Sequence, residues 1–481
     1  MTQTAEDLRA RLDSIGQGHL LHFFDDLSEG DRRGLLDEIS AIDLERLPKL
    51  IETYVTNKPS FVPSGACEPA PYYPNDPASP VRAWDLDKHR AIGEELLRAG
   101  KVAAFVVAGG QGSRLGFDGP KGKFPGGAVS NKPLFRMLAE WIVASREAYG
   151  CAIPWYVMTS PLNHDETVAF FDEHNRFGLP ASDVSFFQQG TLPSIDMATG
   201  RVLLKTKSSL ATNPDGHGGS LKALYASGSI DEMIGRGIEH ISYVQIDNPI
   251  ARVIDPVFIG LHAGAEDSSG EMSTKMVPKA EPSEKVGVLC RVDNKTQVIE
   301  YSDLSDDLAQ QRDERGDLRY CAGNIAIHMI GVDFVRRLNT EGDGFALPLH
   351  RAEKKVACID PGSGDPVEPD APNAIKLETF VFDALPMCES SIVYETDRVD
   401  EFAPIKNTEG SDSPASSARI QTERGARWLE AAGISVPRDA NGEPDCTLEI
   451  GPRFARSLEE LASKKDELPA TIDAGSSHEF G

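Results

Sequence analysis

The stretch from residue 102 to residue 122, VAAFVVAGGQGSRLGFDGPKG, constrains the fold of this chain more than any other feature. It starts with a short apolar run of β-favouring residues, which predicts one buried strand. The glycines that follow let backbone N–H groups approach a ligand without an intervening Cβ, and such bared amides form a cradle for anions. Arg114 adds a planar cation suited to phosphate oxygens, and Lys121 adds a point charge. The stretch therefore predicts a strand, a phosphate-binding loop and two cations.

The spacing of the glycines excludes two common nucleotide-binding loops. The G-x-x-x-x-G-K-[ST] pattern of a P-loop is missing, and Gly110, Gly112 and Gly116 do not follow the dinucleotide pattern G-x-G-x-x-G. A short glycine-rich stretch alone also fits an ordinary turn. The longer pattern resembles the A-G-G-x-G-[ST]-R-L-G-x(3)-P-K-G signature of nucleotidyltransferases that use sugar 1-phosphates.

Composition narrows the class of protein. The 481 residues are too many for one ordinary domain, so we expect two or three. The net charge of −26 would repel nucleic acid and anionic membranes, and an anionic substrate therefore needs a locally basic site. The seven cysteines show no C-x-x-C spacing, which favours a reducing compartment over a disulfide scaffold. Because the sequence shows neither a signal peptide nor an apolar run of membrane length, we expect a cytoplasmic protein.

After residue 102 the pattern alternates between strands and helices, which predicts an α/β fold. The nucleotidyltransferase resemblance implies a Rossmann-like, GT-A-like sheet that is mixed and mostly parallel. The predicted strands are residues 155–159, 184–187 and 240–247, and a helix is predicted at 165–174. Ligands bind such sheets at the carboxyl ends of the strands, where we expect Gly109 and Asp247 to lie.

The regions on either side of this pattern are less regular. Residues 5–55 are predicted to be helical, with Ser28 as a helix cap. Seven prolines between residues 58 and 82 predict an extended connector outside the core, and Gly100 is expected to end a further helix. The predicted domains are a helical N-terminal region over 1–100, a catalytic domain over 101–400 and a small C-terminal α+β unit over 401–481.

The C-terminal unit carries the weakest pattern. Residues 409–418 are rich in serine, proline and acidic residues, which predicts a mobile linker. A helix is predicted around residues 417–431 and a short strand at 446–450, whereas residues 476–481 are expected to fray.

Seven further motifs follow the glycine-rich loop along the chain. They are FFQQG at 186–190, PDGHGG at 214–219, VQIDNP at 244–249, VGVLCR at 286–291, VIEYS at 298–302, AGNIA at 322–326 and PIKN at 404–407. Together with the loop, they resemble the UDP-N-acetylhexosamine pyrophosphorylase family, the eukaryotic-type UDPGP group of uridylyltransferases, over most of the chain. The resemblance implies an enzyme that makes a UDP-sugar and pyrophosphate from UTP and a sugar 1-phosphate.

The resemblance also implies which residues bind the nucleotide: Val107, Ala108, Gly109, Gly110, Lys121, Gln189, Gly216, Asp247 and Lys376. The amide of Gln189 offers the acceptor and donors that complement the imide edge of uracil; Gln188 is second to it, and surface solvation is the alternative. The carboxylate of Asp247, at the end of a predicted strand, suits Mg²⁺ or Mn²⁺ that bridges phosphates. A turn residue is the alternative at this position.

A second set of residues is implied to meet the sugar 1-phosphate: His217, Gly287, Glu300, Tyr301, Asn324 and Lys406. Glu300 is expected to accept hydrogen bonds from sugar hydroxyls, and Gly287 to leave room for an acyl group beside Asn324. A bulge at Gly287 and a turn at Asn324 are the alternatives. Lys376 and Lys406, which by default are surface lysines, are implied to meet the phosphates of the nucleotide and of the sugar.

His217 departs from the acetylhexosamine pattern, which usually has asparagine there. The Gly-His-Gly form is closer to the UDP-glucose and UDP-sugar pyrophosphorylases. We predict N-acetylglucosamine 1-phosphate as the substrate, because more positions favour it. A UDP-glucose or broad UDP-sugar pyrophosphorylase is the first alternative. A catalytically silent regulator that binds nucleotide sugars is the second, because a fold does not determine a function.

The predicted reaction needs no general base. A phosphate monoester has a second pKa of about 6, so its oxygen is already an anion at pH 7. This agrees with a sequence that shows no Ser-His-Asp or Cys-His pattern. Arg114, Lys121 and Lys406 are the predicted catalytic residues. With the loop amides and Mg²⁺, they would neutralise two anions and align an in-line displacement.

Overall fold

The computed structural model describes residues 5–58, 67–342, 345 and 347–481. Its α-helices are α1 Ala5–Ser14, α2 Glu29–Ser40, α3 Leu47–Leu50, α4 Leu86–Arg98, α5 Leu134–Tyr149, α6 His164–Glu173, α7 Gly219–Ala226, α8 Ser229–Gly235, α9 Pro256–Gly264, α10 Asp306–Ala309, α11 Val332–Thr340, α12 Arg398–Glu401, α13 Pro414–Ala431 and α14 Leu458–Ser463. Its strands are β1 Glu68–Pro69, β2 Val102–Val107, β3 Trp155–Thr159, β4 Val184–Gln188, β5 Thr191–Pro193, β6 Ile195–Asp196, β7 Leu204–Thr206, β8 Ser209–Leu210, β9 Thr212–Pro214, β10 His240–Gln245, β11 Met272–Pro278, β12 Val288–Val292, β13 Lys295–Ile299, β14 Ala322–Gly331, β15 His350–Lys354, β16 Cys358–Ile359, β17 Pro366–Val367, β18 Ala374–Glu378, β19 Val393–Glu395, β20 Thr447–Ile450 and β21 Ser477–Phe480.

One compact unit, made of residues 67–188, 221–342, 345 and 382–481, contains a ten-stranded mixed sheet. The strand order is β1-β12-β14-β10-β2-β3-β4, with β13 beside β12, β11 beside β14 and β19 beside β11. Neighbours from β10 to β4 are parallel, as are β11 and β19, and the other pairings in this sheet are antiparallel. The predicted α/β fold with a mixed sheet is therefore confirmed. Antiparallel pairing is nevertheless more extensive than a mostly parallel sheet implies.

The register of this sheet brings two loops to one edge. Strands β2 and β10 are parallel neighbours, and Val107 pairs with Gln245 at their ends. The strand predicted at 240–247 thus ends two residues earlier than expected. Gly109 and Asp247 each follow their strand by two residues, so they leave the sheet at the same edge, as predicted. Buried aromatic side chains hold the strands in place: Phe105, Trp155 and Tyr243.

The second compact unit consists of residues 5–58, 189–220 and 347–381. It contains helices α1 to α3, a three-stranded sheet in the order β15-β18-β6, and small antiparallel pairs. Helices α1 to α3 lie within residues 5–55, which the sequence predicts to be helical, and the Ser28 hydroxyl caps α2 by accepting from the N–H of Asp31 at 3.2 Å. Fully buried Leu12 and Leu35 from the helices share one core with Ile195 from β6.

These two units combine separated segments of the chain, whereas the sequence predicts three consecutive domains. The three-domain division stays a prediction. Within the larger unit, α4 ends before Gly100, whose φ of 69° lies in the left-handed region that favours glycine, as expected. No helix among the described residues is long and apolar enough to cross a membrane.

The predicted connector over residues 58–82 is wrong for the part that the structure describes. Strand β1 pairs with β12 at the edge of the large sheet, where its proline costs no hydrogen bond inside the ladder. Tyr73 is buried in the core, and its N–H donates to the carbonyl of Val393 at 2.8 Å. Pro59 and Pro63 lie outside the described residues.

Two predictions near the C-terminus are also wrong. Helix α13 begins at Pro414, inside the linker predicted at 409–418. Its start is stabilised by Ser413 and Ser416, which form a reciprocal capping box. The final residues, predicted to fray, form β21, which pairs in parallel with β20. The predicted helix and strand of this region correspond to α13 and β20.

Candidate active site

The loop after β2 exposes a run of backbone donors. The N–H groups of Gly109, Gly110 and Gln111 donate to no acceptor among the residues that the structure describes. A Cβ built on Gly110 meets no atom within 4 Å, so the space beside the loop is open. Successive free amides of this kind form a concavity that binds anions. The loop therefore has the geometry of a phosphate cradle.

The other glycines of this stretch serve packing and turns. Gly112 has an ordinary φ of −79°, but a Cβ there would lie 2.7 Å from the ring of Phe117. Gly116 and Gly119 have φ of 67° and 118°, which side chains with a Cβ rarely adopt. The left-handed glycines thus lie beyond the free amides and turn the chain toward Lys121.

Lys121 and Lys406 approach the same carboxylate from distant parts of the chain. The Nζ atoms of Lys121 and Lys406 lie 3.9 Å and 3.8 Å from Oδ2 of Asp247. Burial lowers the pKa of Lys121; Asp247 opposes this shift, whereas the cations Lys406 and Arg114 add to it. Two lysines therefore share one carboxylate at a distance longer than a hydrogen bond. This arrangement leaves positive charge that an anionic ligand can neutralise.

Arg114 adds a third cation to this cluster. It lies in a single turn of 3₁₀-helix, Ser113–Leu115, and its side chain is exposed. In the described part of the chain, its guanidinium has neither an ion pair nor a hydrogen bond. An unpaired guanidinium beside free amides suits bidentate binding of phosphate oxygens.

The sequence analysis missed a second carboxylate, that of Asp412. The backbone carbonyl of Asp412 accepts from the N–H groups of Lys406 at 2.6 Å and Asn407 at 2.9 Å, which closes a tight loop. Asp412 adopts a φ of 54°, which is unusual for a residue other than glycine. Burial raises the pKa of Asp412, and the nearby carboxylate of Asp247 also raises it, against the attraction of Lys406. Its place inside a predicted linker gave no signal of this role.

A cavity of about 320 Å³ is lined by Asp247 and Lys406 and also by Asn324. Asn324 lies at a bulge in β14, where the register against β11 shifts and Ala326 takes a φ of 56°. The side-chain oxygen of Asn324 accepts from the N–H of Ala326 at 3.1 Å. Bulges of this kind are common beside functional sites, where they redirect side chains. The cavity is also lined by three cations that the sequence analysis missed: Lys285, Arg398 and Arg419.

Three of the residues implied to meet the sugar lie close together. The N–H of Asn324 donates to the carbonyl of Gly287 at 2.8 Å. A Cβ on Gly287 would lie 2.7 Å from Val298 and 3.4 Å from Oε1 of Glu300, so glycine here is required by packing. Tyr301 is 48% exposed.

In the smaller unit, Gln189 and Gly216 lie on two adjoining segments. The N–H of Asp215 donates to the carbonyl of Gly190 at 3.1 Å, which joins the segments. Gly216 has a φ of 86°, and a Cβ there would lie 2.3 Å from the carbonyl oxygen of Thr379. Gln189, which precedes Gly190 in the chain, is buried.

Contacts within the smaller unit hold the ring of His217. Its Nδ1 accepts from the N–H of Val381 at 3.1 Å, and the ring stacks on Phe380 with centroids 5.2 Å apart. The neutral ring must then carry its proton on Nε2. Lys376 lies on β18 opposite Ala352 and has no ion-pair partner among the described residues.

The carboxylates suit a divalent ion that arrives with a substrate. No group of three histidine, cysteine or acidic residues in the described part of the chain could hold a metal. Asp247 and its neighbour Asp412 supply one or two carboxylates beside the phosphate cradle. Mg²⁺ is usually bound in this way, through one or two carboxylates and the phosphates of the substrate.

Comparison with known proteins links this geometry to a family. Residues 73–417 match the family model of UTP–glucose-1-phosphate uridylyltransferase. A relative from Homo sapiens, UDP-N-acetylhexosamine pyrophosphorylase-like protein 1, is 36% identical over 95% of this chain and 94% of its own length. UDP-N-acetylglucosamine pyrophosphorylase from Saccharomyces cerevisiae is also 36% identical, over 88% of this chain and 90% of its own.

A solved structure agrees with these sequence relatives. The uridine diphosphate N-acetylglucosamine pyrophosphorylase of Trypanosoma brucei, solved with an inhibitor, superposes with a TM-score of 0.78. It is 26% identical, and the match covers 98% of both chains. The chain is thus similar in fold to that enzyme along almost its whole length.

Proposed function

Since the chain belongs to the UTP–glucose-1-phosphate uridylyltransferase family, we propose that it joins UTP and N-acetylglucosamine 1-phosphate into UDP-N-acetylglucosamine and pyrophosphate. The observation that carries this proposal is the group of free amides at 109–111, which accompanies three cations, Arg114, Lys121 and Lys406. The nearby carboxylates do not fully neutralise these cations. Such a site suits the meeting of two phosphate-bearing substrates.

The chemistry follows from charge neutralisation. A phosphate oxygen of the sugar 1-phosphate attacks the α-phosphorus of UTP, and the bond from that phosphorus to the β-phosphate oxygen breaks. Pyrophosphate leaves with its electron pair, and no proton has to be removed from the nucleophile. The barrier lies mainly in bringing two anions together in line, which positioned cations and amides can lower.

Each residue of the cluster has a role in this reaction. The free amides of Gly109 and Gly110 would hold the nucleotide phosphates. Arg114 and Lys121 would stabilise charge that develops on the departing pyrophosphate, and Lys406 would hold the phosphate of the sugar. Val107 ends β2 and Ala108 follows it, and both would position the loop.

Asp247, with Asp412 beside it, would hold Mg²⁺ or Mn²⁺ that comes with the phosphates. The bound ion would supply Lewis-acid stabilisation of phosphate charge. The Nζ atoms of Lys121 and Lys406, at 3.9 Å and 3.8 Å, would help to hold this carboxylate in place.

We assign Gln189 and Gly216 to uracil and Lys376 to the nucleotide phosphates. Gly287, Glu300, Tyr301 and Asn324 are assigned to the sugar, and the contact among three of them supports this. The names of the relatives favour the acetylated sugar.

His217 favours a second candidate, a UDP-glucose pyrophosphorylase. A histidine at this position, where the acetylhexosamine pattern usually has asparagine, favours a sugar with a hydroxyl rather than an acetamido group. Cytoplasmic location also stays a proposal, supported by seven cysteines that are all free.

A pyrophosphate-release assay tests the function and the sugar together. UTP, Mg²⁺ and either N-acetylglucosamine 1-phosphate or glucose 1-phosphate are supplied to the wild type and to His217→Asn. We expect the wild type to prefer the acetylated sugar, and the variant to prefer it more strongly. A tenfold preference for glucose 1-phosphate would select the second candidate, and binding without pyrophosphate release would select the silent regulator.

A further inference from the structure

Asn163 lies at the turn between β3 and α6 and is 1% exposed. It occupies the cap position that precedes α6, where an asparagine side chain commonly accepts from the first N–H groups of its own helix. Here the side chain forms no such cap. The Asn163 amide therefore does not stabilise the start of α6 and is available for other hydrogen bonds.

The amide of Asn163 is instead bonded to the glycine loop. Its Nδ2 donates to the carbonyl of Ala108 at 3.0 Å and to that of Gly110 at 3.3 Å. Its Oδ1 accepts from the N–H of Ser160 at 2.7 Å. These partners determine the orientation of the amide, because only NH₂ can donate to two carbonyls and only oxygen can accept from an N–H.

The two carbonyls are those of the peptide groups that carry the free amides. In a trans peptide the C=O and the next N–H point in opposite directions. Holding the carbonyl of Ala108 therefore turns the N–H of Gly109 away from Asn163, and holding that of Gly110 turns the N–H of Gln111 the same way. The carbonyl of Gly110 also accepts from the N–H of Lys121 at 3.1 Å, which links the loop to a cation of the site.

From this geometry we infer that Asn163 is a positioning residue for phosphate binding: it fixes the glycine loop with its free amides facing the ligand. The inference rests on the proposed function only in taking the ligand to be a nucleoside triphosphate. It predicts that Asn163 affects binding of the nucleotide phosphates far more than binding of the sugar 1-phosphate.

The test compares two variants at this position with a matched control. Asn163→Asp keeps the acceptor for Ser160 but places a negative oxygen against two carbonyls, and Asn163→Ala removes the tether without adding charge. The control is Asn339→Asp. Asn339, on α11, likewise donates to two backbone carbonyls, of Leu221 at 3.3 Å and Val335 at 2.8 Å, but has no contact with the loop.

Calorimetry with UTP and Mg²⁺, and steady-state kinetics for both substrates, provide the readouts. We expect Asn163→Asp to raise the Kd and KM for UTP about tenfold or more, and Asn163→Ala by a smaller factor, because buried donors are lost. The KM for the sugar 1-phosphate should change less than about threefold, and Asn339→Asp should leave both constants near the wild-type values.

The outcomes separate this inference from the proposed function. If the wild type binds UTP but releases no pyrophosphate, the proposed function fails and the Kd values still test Asn163. If Asn163→Asp does not fold, Asn163→Ala decides. Folded Asn163 variants with the UTP affinity of the Asn339 control overturn the inference, as does a wild type that binds no triphosphate.

Discussion

Lys275 and Lys121 lie in the same compact unit, but the first is enclosed by carboxylates and the second is not. The Nζ atom of Lys275 lies 2.6 Å from Asp255 and 2.7 Å from Glu401, and its side chain is completely buried. Burial alone would raise the pKa of Asp255, but Lys275 and other cations hold it below its ordinary value. Glu401 also accepts from Thr396 at 2.7 Å.

The cluster around Lys121 uses the same chemical groups with a different balance. Its ion pairs with Asp247 are longer than 3.7 Å, and three cations face two carboxylates. Lys406 is 46% exposed there, so the group remains open to solvent.

The difference indicates how each cluster is used. Buried charges are tolerated only when they are paired and hydrogen-bonded, and a saturated cluster such as that of Lys275 can bind nothing further. A cluster with unpaired cations and free amides gains its missing partners from an anionic ligand. Four predictions test whether stability and ligand binding are divided between the two clusters in this way.

The largest effect is expected for Lys275→Ala. Removing this lysine takes away the cation that two buried carboxylates share, which should lower the free energy of unfolding by about 3–5 kcal/mol. Denaturant unfolding followed by circular dichroism measures the change. Lys121→Ala is the control and should lower stability by less than about 1 kcal/mol. Equal losses in the two variants would contradict the division.

Arg114→Ala should lower activity and leave stability unchanged. It should reduce kcat/KM about 10²-fold or more, or about 3 kcal/mol of transition-state stabilisation, because a cation beside the phosphates is lost. Its unfolding curve should match that of the wild type, since the guanidinium has no partner among the described residues. Near-normal turnover by the folded variant would exclude Arg114 from the site.

Asp247→Asn probes the carboxylate shared by the two lysines of the open cluster. The substitution keeps the shape of the side chain but removes its charge. The Mg²⁺ concentration for half-maximal activity should rise about tenfold or more, because even changes to the outer-shell partners of metal ligands cost about 10–100-fold in metal affinity. Titrating Mg²⁺ and Mn²⁺ in the kinetic assay measures this. Full activity of the wild type in excess chelator would refute the metal assignment.

The smallest effect concerns pH. Burial lowers the pKa of Lys121, so this lysine loses its proton, and its phosphate-binding charge, at a lower pH than an ordinary lysine. The kcat/KM of the wild type should therefore fall as the pH rises, which gives the pH–rate profile an alkaline limb. Lys121→Arg should lack this limb because arginine stays protonated.

The sign for stability is the reverse of the sign for activity. Without ligand, the folded state binds the proton of Lys121 less tightly than the unfolded state does. The contribution of Lys121 to the free energy of unfolding is therefore complete above the ordinary pKa of lysine and is lost as the pH falls below it. A pH–rate profile of Lys121→Arg that overlays the wild type would assign the limb to another group.

Local patterns in the sequence predicted much of the fold. The strand before the glycines, the cap at Ser28, the left-handed Gly100 and the strands at 155–159 and 184–187 depend on a few neighbouring residues each. Such features are readable because the backbone preferences and apolar runs that produce them act over short distances.

Predictions failed where distant segments decided the outcome. Tyr73 and β1 lie in a proline-rich stretch but pair with strands more than 200 residues away along the chain. The C-terminal residues, polar and glycine-flanked, became β21 because β20 offered a partner edge. Composition predicts solvation in both places, and tertiary pairing overrides it.

The sequence by itself determined the chemical groups of the candidate site: the glycines, Arg114, Lys121, Asp247 and Lys406, in an order typical of the family. Only the tertiary structure decided which of these groups meet, that Asp412 joins them, and that Asn163 holds the loop from behind. The reason is physical. Ion pairing and hydrogen bonding depend on distances of 3 to 4 Å between side chains, and segments that are hundreds of residues apart reach those distances only when the whole sheet has assembled.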